Sequence, residues 1–157
     1  MKQGDQPVTF RRGGRIVVVR HGNTPYNTAQ VFQPLDSDLS EMGWKQAKSV
    51  GSRLAEELKV VKILTSDLPR TKQTTSCILA SLAAPVPVVE SELLRERDFG
   101  GLVGRSIYDA PKDLYRHNVP HFSPEGAESW HVFFSRVDSA WDWVVQQAQE
   151  TITMYRL

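Results

Sequence analysis

Apolar positions along this chain fall into short unbroken runs separated by stretches with a three-to-four-residue period. The run Ile16-Val17-Val18-Val19 is entirely β-branched and does not alternate with polar residues. It predicts a first strand over Arg15–Val19, buried on both faces. Asn23 to Asp38 is polar, contains Pro25 and Pro34, and reads as a loop. Ser40 then reads as a helix N-cap, because Trp44, Ala47, Val50, Leu54 and Leu58 follow at helical steps along one face. Val60 to Leu64 predicts a second strand. Ser66 reads as the cap of a second helix, with Pro69 tolerated in its first turn and Ile78, Leu79 and Leu82 farther along. Val86 to Val89 predicts a third strand. Phe99 to Gly126 mixes glycine, proline and both polarities, and is expected to be a long excursion such as a lid or insertion. Trp130, Phe133, Phe134, Val137, Trp141, Val144, Val145 and Ala148 trace a last amphipathic helix whose aromatic stripe is assigned to core packing. Thr151 to Tyr155 is the strand-like material that remains. Strands alternating with helices predict an α/β domain of three layers, α/β/α, around a mostly parallel sheet.

Composition narrows this picture without changing it. The 157 residues suit one domain over 15–157, preceded by a flexible tail at 1–14 that includes Arg11-Arg12-Gly13-Gly14. The tail lacks the apolar stretch of a secretory signal. A net charge of +1 offers no bulk attraction to nucleic acid or to a membrane surface. No apolar run approaches the length of a membrane span. Cys77 is the sole cysteine, which fits a reducing compartment, and a cytoplasmic setting is expected.

The candidate chemistry lies just after the strands. Arg20-His21-Gly22-Asn23-Thr24 follows the first strand, Ser66-Asp67-Leu68-Pro69-Arg70 the second, and Leu94-Arg95-Glu96-Arg97 the third. In parallel sheets the carboxyl ends of strands open into the ligand crevice. Arginines delivered there suit an anion, and a histidine beside them can attack phosphorus. Arg70 at the start of a helix opposes the helix dipole unless an anion sits there too. Glu96 is placed to protonate a leaving oxygen. Each residue alone also suits a plainer role: His21 as a loop histidine, Arg20 and Arg70 as surface cations, Glu96 as a solvated charge between Arg95 and Arg97. His117 and His121 straddle Pro120, so they are read as loop histidines rather than a helical metal pair.

Taken together, these segments resemble the histidine phosphatase superfamily, also called the phosphoglycerate mutase-like family. Arg20-His21-Gly22-Asn23-Thr24, with Asn27 beyond it, is similar to the family's signature. Leu39-Ser40-Glu41-Met42-Gly43-Trp44-Lys45-Gln46-Ala47, Ser66-Asp67-Leu68-Pro69-Arg70-Thr71-Lys72-Gln73-Thr74 and Leu94-Arg95-Glu96-Arg97-Asp98-Phe99-Gly100 resemble its next segments in order. Pro124-Glu125-Gly126-Ala127-Glu128-Ser129 resembles a fifth. The wording around Arg70 and Glu96 is most similar to fructose-2,6-bisphosphatases of the TIGAR type.

The resemblance implies a phosphatase, or less favourably a phosphoglycerate mutase, acting on a small phosphorylated metabolite such as a sugar bisphosphate. His21 would become a phosphohistidine. Arg20, Asn27 and Arg70 would hold the phosphate, and Glu96 would protonate the leaving alcohol. No metal or other cofactor is implied, because the arginines supply the positive charge. The sequence departs from the family at three points. The resemblance implies a second histidine on a later strand beside the first one, whereas this sequence runs out at Thr151–Leu157. The domain is therefore expected to be incomplete at its carboxyl end and to lack its last strands. Its activity is in question, and a non-catalytic remnant with a phosphate-binding or interaction role is the alternative. Gln33-Pro34 stands where a glycine near the substrate is usual, which removes a backbone N–H. Phe99 stands where many members have tyrosine.

Overall fold

The computed structural model describes residues 15–111, 114 and 123–154. The tail expected at 1–14, both His117 and His121, and Tyr155 lie outside them. The described chain begins with a short helix, α1 (Pro25–Ala29), inside the stretch expected to be loop. Its start is a reciprocal cap: Thr24 Oγ1 accepts from Asn27 N–H at 3.1 Å, and Asn27 Oδ1 accepts from Thr24 N–H at 3.0 Å. Pro25 at the first position is pre-set for a helix.

Helix α2 (Glu41–Glu57) starts where Ser40 predicts, with Ser40 Oγ accepting from Gly43 N–H. It packs on α3 (Pro69–Ser81) through small residues. Ala47 is buried against Leu39 and Cys77. A Cβ on Gly51 would lie 2.7 Å from Ser81 Oγ and 2.9 Å from Cys77 O. The second helix begins later than expected. Leu68, not Ser66, is its cap, and it makes no side-chain capping bond. Pro69 sets that boundary, since the residue before a proline is held extended. Ser66 Oγ bonds Thr71 Oγ1 instead, at 2.8 Å.

Strands β1 (Ile63–Thr65) and β2 (Val88–Glu90) are parallel, with Ile63 opposite Val88 and Thr65 opposite Glu90. Joined through α3 they form a βαβ unit, the connection that parallel strands require. They correspond to the second and third predicted strands, each shifted toward the carboxyl end. The predicted first strand is not in the sheet. Arg15–Val19 has no strand hydrogen bonding among the described residues, and Val18 is 86% exposed. An apolar β-branched run becomes a strand only where neighbours pair with it, and the described sheet has two strands, ordered β1-β2.

Helix α4 (Trp130–Met154) forms where the apolar period predicts and includes Thr151–Met154, the described part of the stretch expected to be strand-like. The Thr151 Oγ1 hydroxyl donates one turn back to Gln147 O at 2.8 Å, so the helix satisfies it locally. The aromatic stripe is only partly core. Trp130 stacks on Phe134 at 5.2 Å between centroids, yet Phe134, Val137 and Trp141 are exposed, Trp141 by 54%. Helix α4 packs over a 3₁₀ turn at Glu92–Leu94. The excursion after Phe99 contributes a second small core. Phe32, Leu102 and Leu114 are buried together, with Phe99 packed 4.8 Å from the Phe32 ring. Phe99 therefore fills an apolar position.

The loop before α1 is locked to the start of α2. A Cβ on Gly43 would lie 2.0 Å from Asn23 O, and one on Gly22 would lie 2.4 Å from Gly43 O. Helix propensity alone predicts that Gly43→Ala stabilises by about 1 kcal/mol. The contact reverses the sign. Gly43→Ala is expected to destabilise by about 1–3 kcal/mol, the usual cost of forced overpacking. Thermal unfolding should show a fall of several degrees, and an unchanged or raised midpoint would refute the close approach.

Candidate active site

The loop 20–24 presents His21 half-buried, with its Nδ1 2.7 Å from Gly22 O. A carbonyl has no proton to give, so Nδ1 carries the hydrogen and Nε2 carries the free lone pair. Burial pushes the His21 pKa below its ordinary value. The bond to Gly22 O works against that, the positive charges of Arg70 and Arg20 push it down further, and Glu96 partly offsets them. Arg20 and Arg70 thus bear on the His21 ring as cations and Glu96 as an anion.

The loop is held by polar side chains at the cap of α2, in α2 and in α3. Ser40 Oγ donates to Asn23 Oδ1 at 2.7 Å, Asn23 N–H donates to Gln46 Oε1 at 2.8 Å, and Gly22 N–H donates to Thr74 Oγ1 at 3.1 Å. Asn27 spends its side-chain oxygen on the α1 cap, which leaves its Nδ2 as the donor end. Arg20 is exposed.

Arg70 is the buried cation of the site, with 1% of its surface exposed. Its Nη1 donates to Pro34 O at 3.2 Å, Leu35 O at 2.9 Å and Ser37 Oγ at 3.0 Å. No carboxylate pairs with it among the described residues, and its buried Nε has no partner. Burial lowers its pKa, with Glu96 opposing. A guanidinium in this condition is an incomplete anion site. Pro34, expected to lose a backbone donor, contributes its carbonyl to Arg70 instead. Thr24 Oγ1 and Ser37 Oγ both donate to Gln33 Oε1, at 2.9 and 3.3 Å. A continuous chain of hydrogen bonds thus joins Asn27 and Thr24 through Gln33 and Ser37 to Arg70.

Glu96 is exposed, and its Oε1 accepts from Arg97 N–H at 2.8 Å. Arg95, one of the two arginines that flank Glu96, forms a two-pronged ion pair with Asp67 that holds the Asp67 carboxyl below its ordinary range. Arg97, the other flank, is buried. It lies 4.2 Å from the Trp130 ring and donates to Glu128 O at 2.8 Å and Leu114 O at 3.2 Å. Neither role follows from motif wording. The available signal for a buried cation lies in α4, where Arg136 shares the helical spacing of Phe133 and Ala140. Among the described residues no group of three or more His, Cys, Asp or Glu could hold a metal ion. No helix there is long and apolar enough to cross a membrane.

An α/β domain built on a βαβ unit, with a histidine of free Nε2 on the loop before α1, an arginine buried at the start of α3 and a carboxylate after β2, is the class that the fold and the site define. The chain belongs to the Histidine phosphatase superfamily (branch 1), whose pattern matches residues 16–155. It is similar to the fructose-2,6-bisphosphatase TIGAR of Xenopus tropicalis, 32% identical over 120 residues that make up 73% of this chain and 43% of that protein. It is 42% identical over 90 residues to a metal-independent phosphoserine phosphatase of Arabidopsis thaliana, covering 57% of this chain and 37% of that one. Among solved structures it resembles a mycobacterial glucosyl-3-phosphoglycerate phosphatase complexed with VO3. There the TM-score is 0.64 and the identity 28%, over 80% of this chain and 64% of that one. The chain thus spans less than half the length of these two curated relatives. The fold these neighbours share is the α/β histidine-phosphatase fold.

Proposed function

We propose that this chain carries the phosphate pocket of a phosphomonoesterase that works through a phosphohistidine at His21. The observation that carries this reading is Arg70: a buried guanidinium without a carboxylate partner, its Nε unpaired, with His21 in its field. In the proposed reaction His21 Nε2 attacks phosphorus and the bond from phosphorus to the alcohol oxygen breaks. Glu96 gives its proton to that oxygen. Water then attacks the phosphohistidine, Glu96 takes the proton, and inorganic phosphate leaves. Arg20, Asn27 and Arg70 donate to the phosphoryl oxygens. The substrate class favoured by the wording around Arg70 and Glu96, and by the relatives named for fructose-2,6-bisphosphate, is a small sugar bisphosphate.

A second reading, anion binding without turnover, has its own observation. The segment that leads into Arg20 is outside the sheet and Arg20 is exposed, so one of the two arginines lacks a rigid mount. The test is to offer the chain a radiolabelled sugar bisphosphate, quench in base and seek an acid-labile label. Label mapped to His21 and chased by water supports the phosphatase. Phosphate or vanadate binding without label supports the second reading, and absence of both overturns the pocket.

A further inference from the structure

The reading above makes Glu96 the proton donor, yet Glu96 is exposed and sits on a segment without helix or strand. What holds it toward His21 comes from α4. The Arg136 guanidinium donates from Nη1 to Leu93 O at 3.0 Å and to Arg95 O at 2.7 Å, and from Nη2 to Glu96 O at 3.4 Å. Three carbonyls of the segment that carries Glu96 thus converge on one side chain. Arg136 is itself oriented by Glu128, whose two oxygens accept from its Nε at 2.9 Å and its Nη2 at 2.6 Å. The pair is largely buried, with 19% and 13% of the two side chains exposed. Glu128 also grips the segment with its backbone, accepting from Arg97 Nε at 2.8 Å and donating to Asp98 O at 2.9 Å.

We propose that Arg136, locked by Glu128, is a positioning residue for Glu96. It pins the main chain of 93–96 to a long helix and so aims the Glu96 carboxylate at the phosphoryl pocket. The inference rests on the phosphatase reading and deepens it, assigning residues that touch neither the phosphate nor His21. A rigid helix is the right support, because a proton donor must be held within a fraction of an ångström of its productive place. Lysine cannot replace arginine here. A guanidinium has five donors in a planar fork, and the ammonium's three cannot span two carboxylate oxygens and three carbonyls at once.

The experiment reads the His21 ring by NMR titration in the whole chain, which needs no turnover. The charges facing His21 are Arg20, Arg70 and Glu96, with the Gly22 carbonyl at Nδ1. Glu96→Gln removes the one anion and is expected to lower the His21 pKa. Arg136→Lys keeps its own charge but frees the segment, so it is expected to shift His21 the same way by a smaller amount. The double variant is expected to match Glu96→Gln alone. Glu128→Gln, which leaves the carbonyl bonds possible but unlocks the guanidinium, is expected to give a partial shift and serves if Arg136→Lys does not fold. A folded Arg136→Lys with a parental His21 titration, or shifts that add in the double variant, would overturn the proposal. If Glu96→Gln leaves His21 unmoved, the pocket itself is wrongly assembled and the phosphatase reading falls first.

Discussion

Arg70→Met is expected to bind inorganic phosphate or vanadate about 10²-fold or more weakly than the parent chain. Each hydrogen bond to a charged group contributes about 1.5–3 kcal/mol, and a guanidinium offers an oxyanion two of them. In the parent, Nη1 is occupied by Pro34 O, Leu35 O and Ser37 Oγ, but Nε is buried without a partner. The site is already desolvated, so the anion meets a cation whose burial cost has been incurred in folding. Thermal denaturation with added phosphate reads this directly. At a ligand concentration 100 times Kd, binding stabilises the parent by about 2.7 kcal/mol. For a domain of this size that raises the midpoint by roughly 5–10 °C, whereas Arg70→Met at the same concentration, then about its own Kd, should rise by no more than about 1–2 °C. Arg70→Lys should recover only part of the shift, because it restores the charge without the fork. An Arg70→Met chain stabilised by phosphate as much as the parent would remove Arg70 from the pocket.

Part of the fold was legible in the order of residues, and the reason is local. Ser40 announces α2 because an N-cap bond needs only neighbours in sequence, and Gly43 N–H is within its reach. Arg70 and Glu96 could be placed near one edge because each follows a strand of the parallel pair, whereas the same argument for His21 rested on a first strand that is not in the described sheet. What stayed hidden depends on residues far apart in sequence. Val17, Val18 and Val19 look like a buried strand, but burial is a property of partners, and in the described chain these valines are exposed. The α4 stripe shows that a periodic apolar face announces the helix and not what covers it. Pro34 reads as a lost donor because a proline's missing N–H is visible in sequence, while the use of its carbonyl by Arg70 is not. Arg97 and Arg136 sit among charged or aromatic neighbours in sequence, and nothing local marks their roles. Their buried bonds reach 31 residues along the chain to Glu128 and 43 to Leu93, distances no local pattern encodes.

His21→Ala is expected to abolish the covalent phosphoryl label outright, since no other residue in the loop offers a free imidazole Nε2. Its effect on stability has a sign that depends on pH. The folded His21 pKa lies below the ordinary 6.5, first through burial and then through Arg70 and Arg20. Between the folded value and 6.5, the unfolded chain binds a proton that the folded chain does not. The parent's advantage from a neutral His21 is therefore full above about pH 6.5 and is lost as pH falls through the folded value. Subtracting the His21→Ala unfolding curve from the parent's cancels the contributions of His117, His121 and His131. That difference should be flat from about pH 8 to 6.5 and shrink toward about pH 5, the range in which histidines titrate. Labelling should follow the same group. Attack on phosphorus needs the neutral ring, so the initial rate should hold level through pH 6.5 and fall only on the acid side of the folded value. A bound phosphate dianion beside the ring favours the imidazolium. Saturating phosphate is therefore expected to flatten the acid-side loss of stability in the parent and to leave His21→Ala unchanged. A parent-minus-variant difference that grows as the solution is acidified would mean that His21 is held as the cation, and the nucleophile would have to be sought elsewhere.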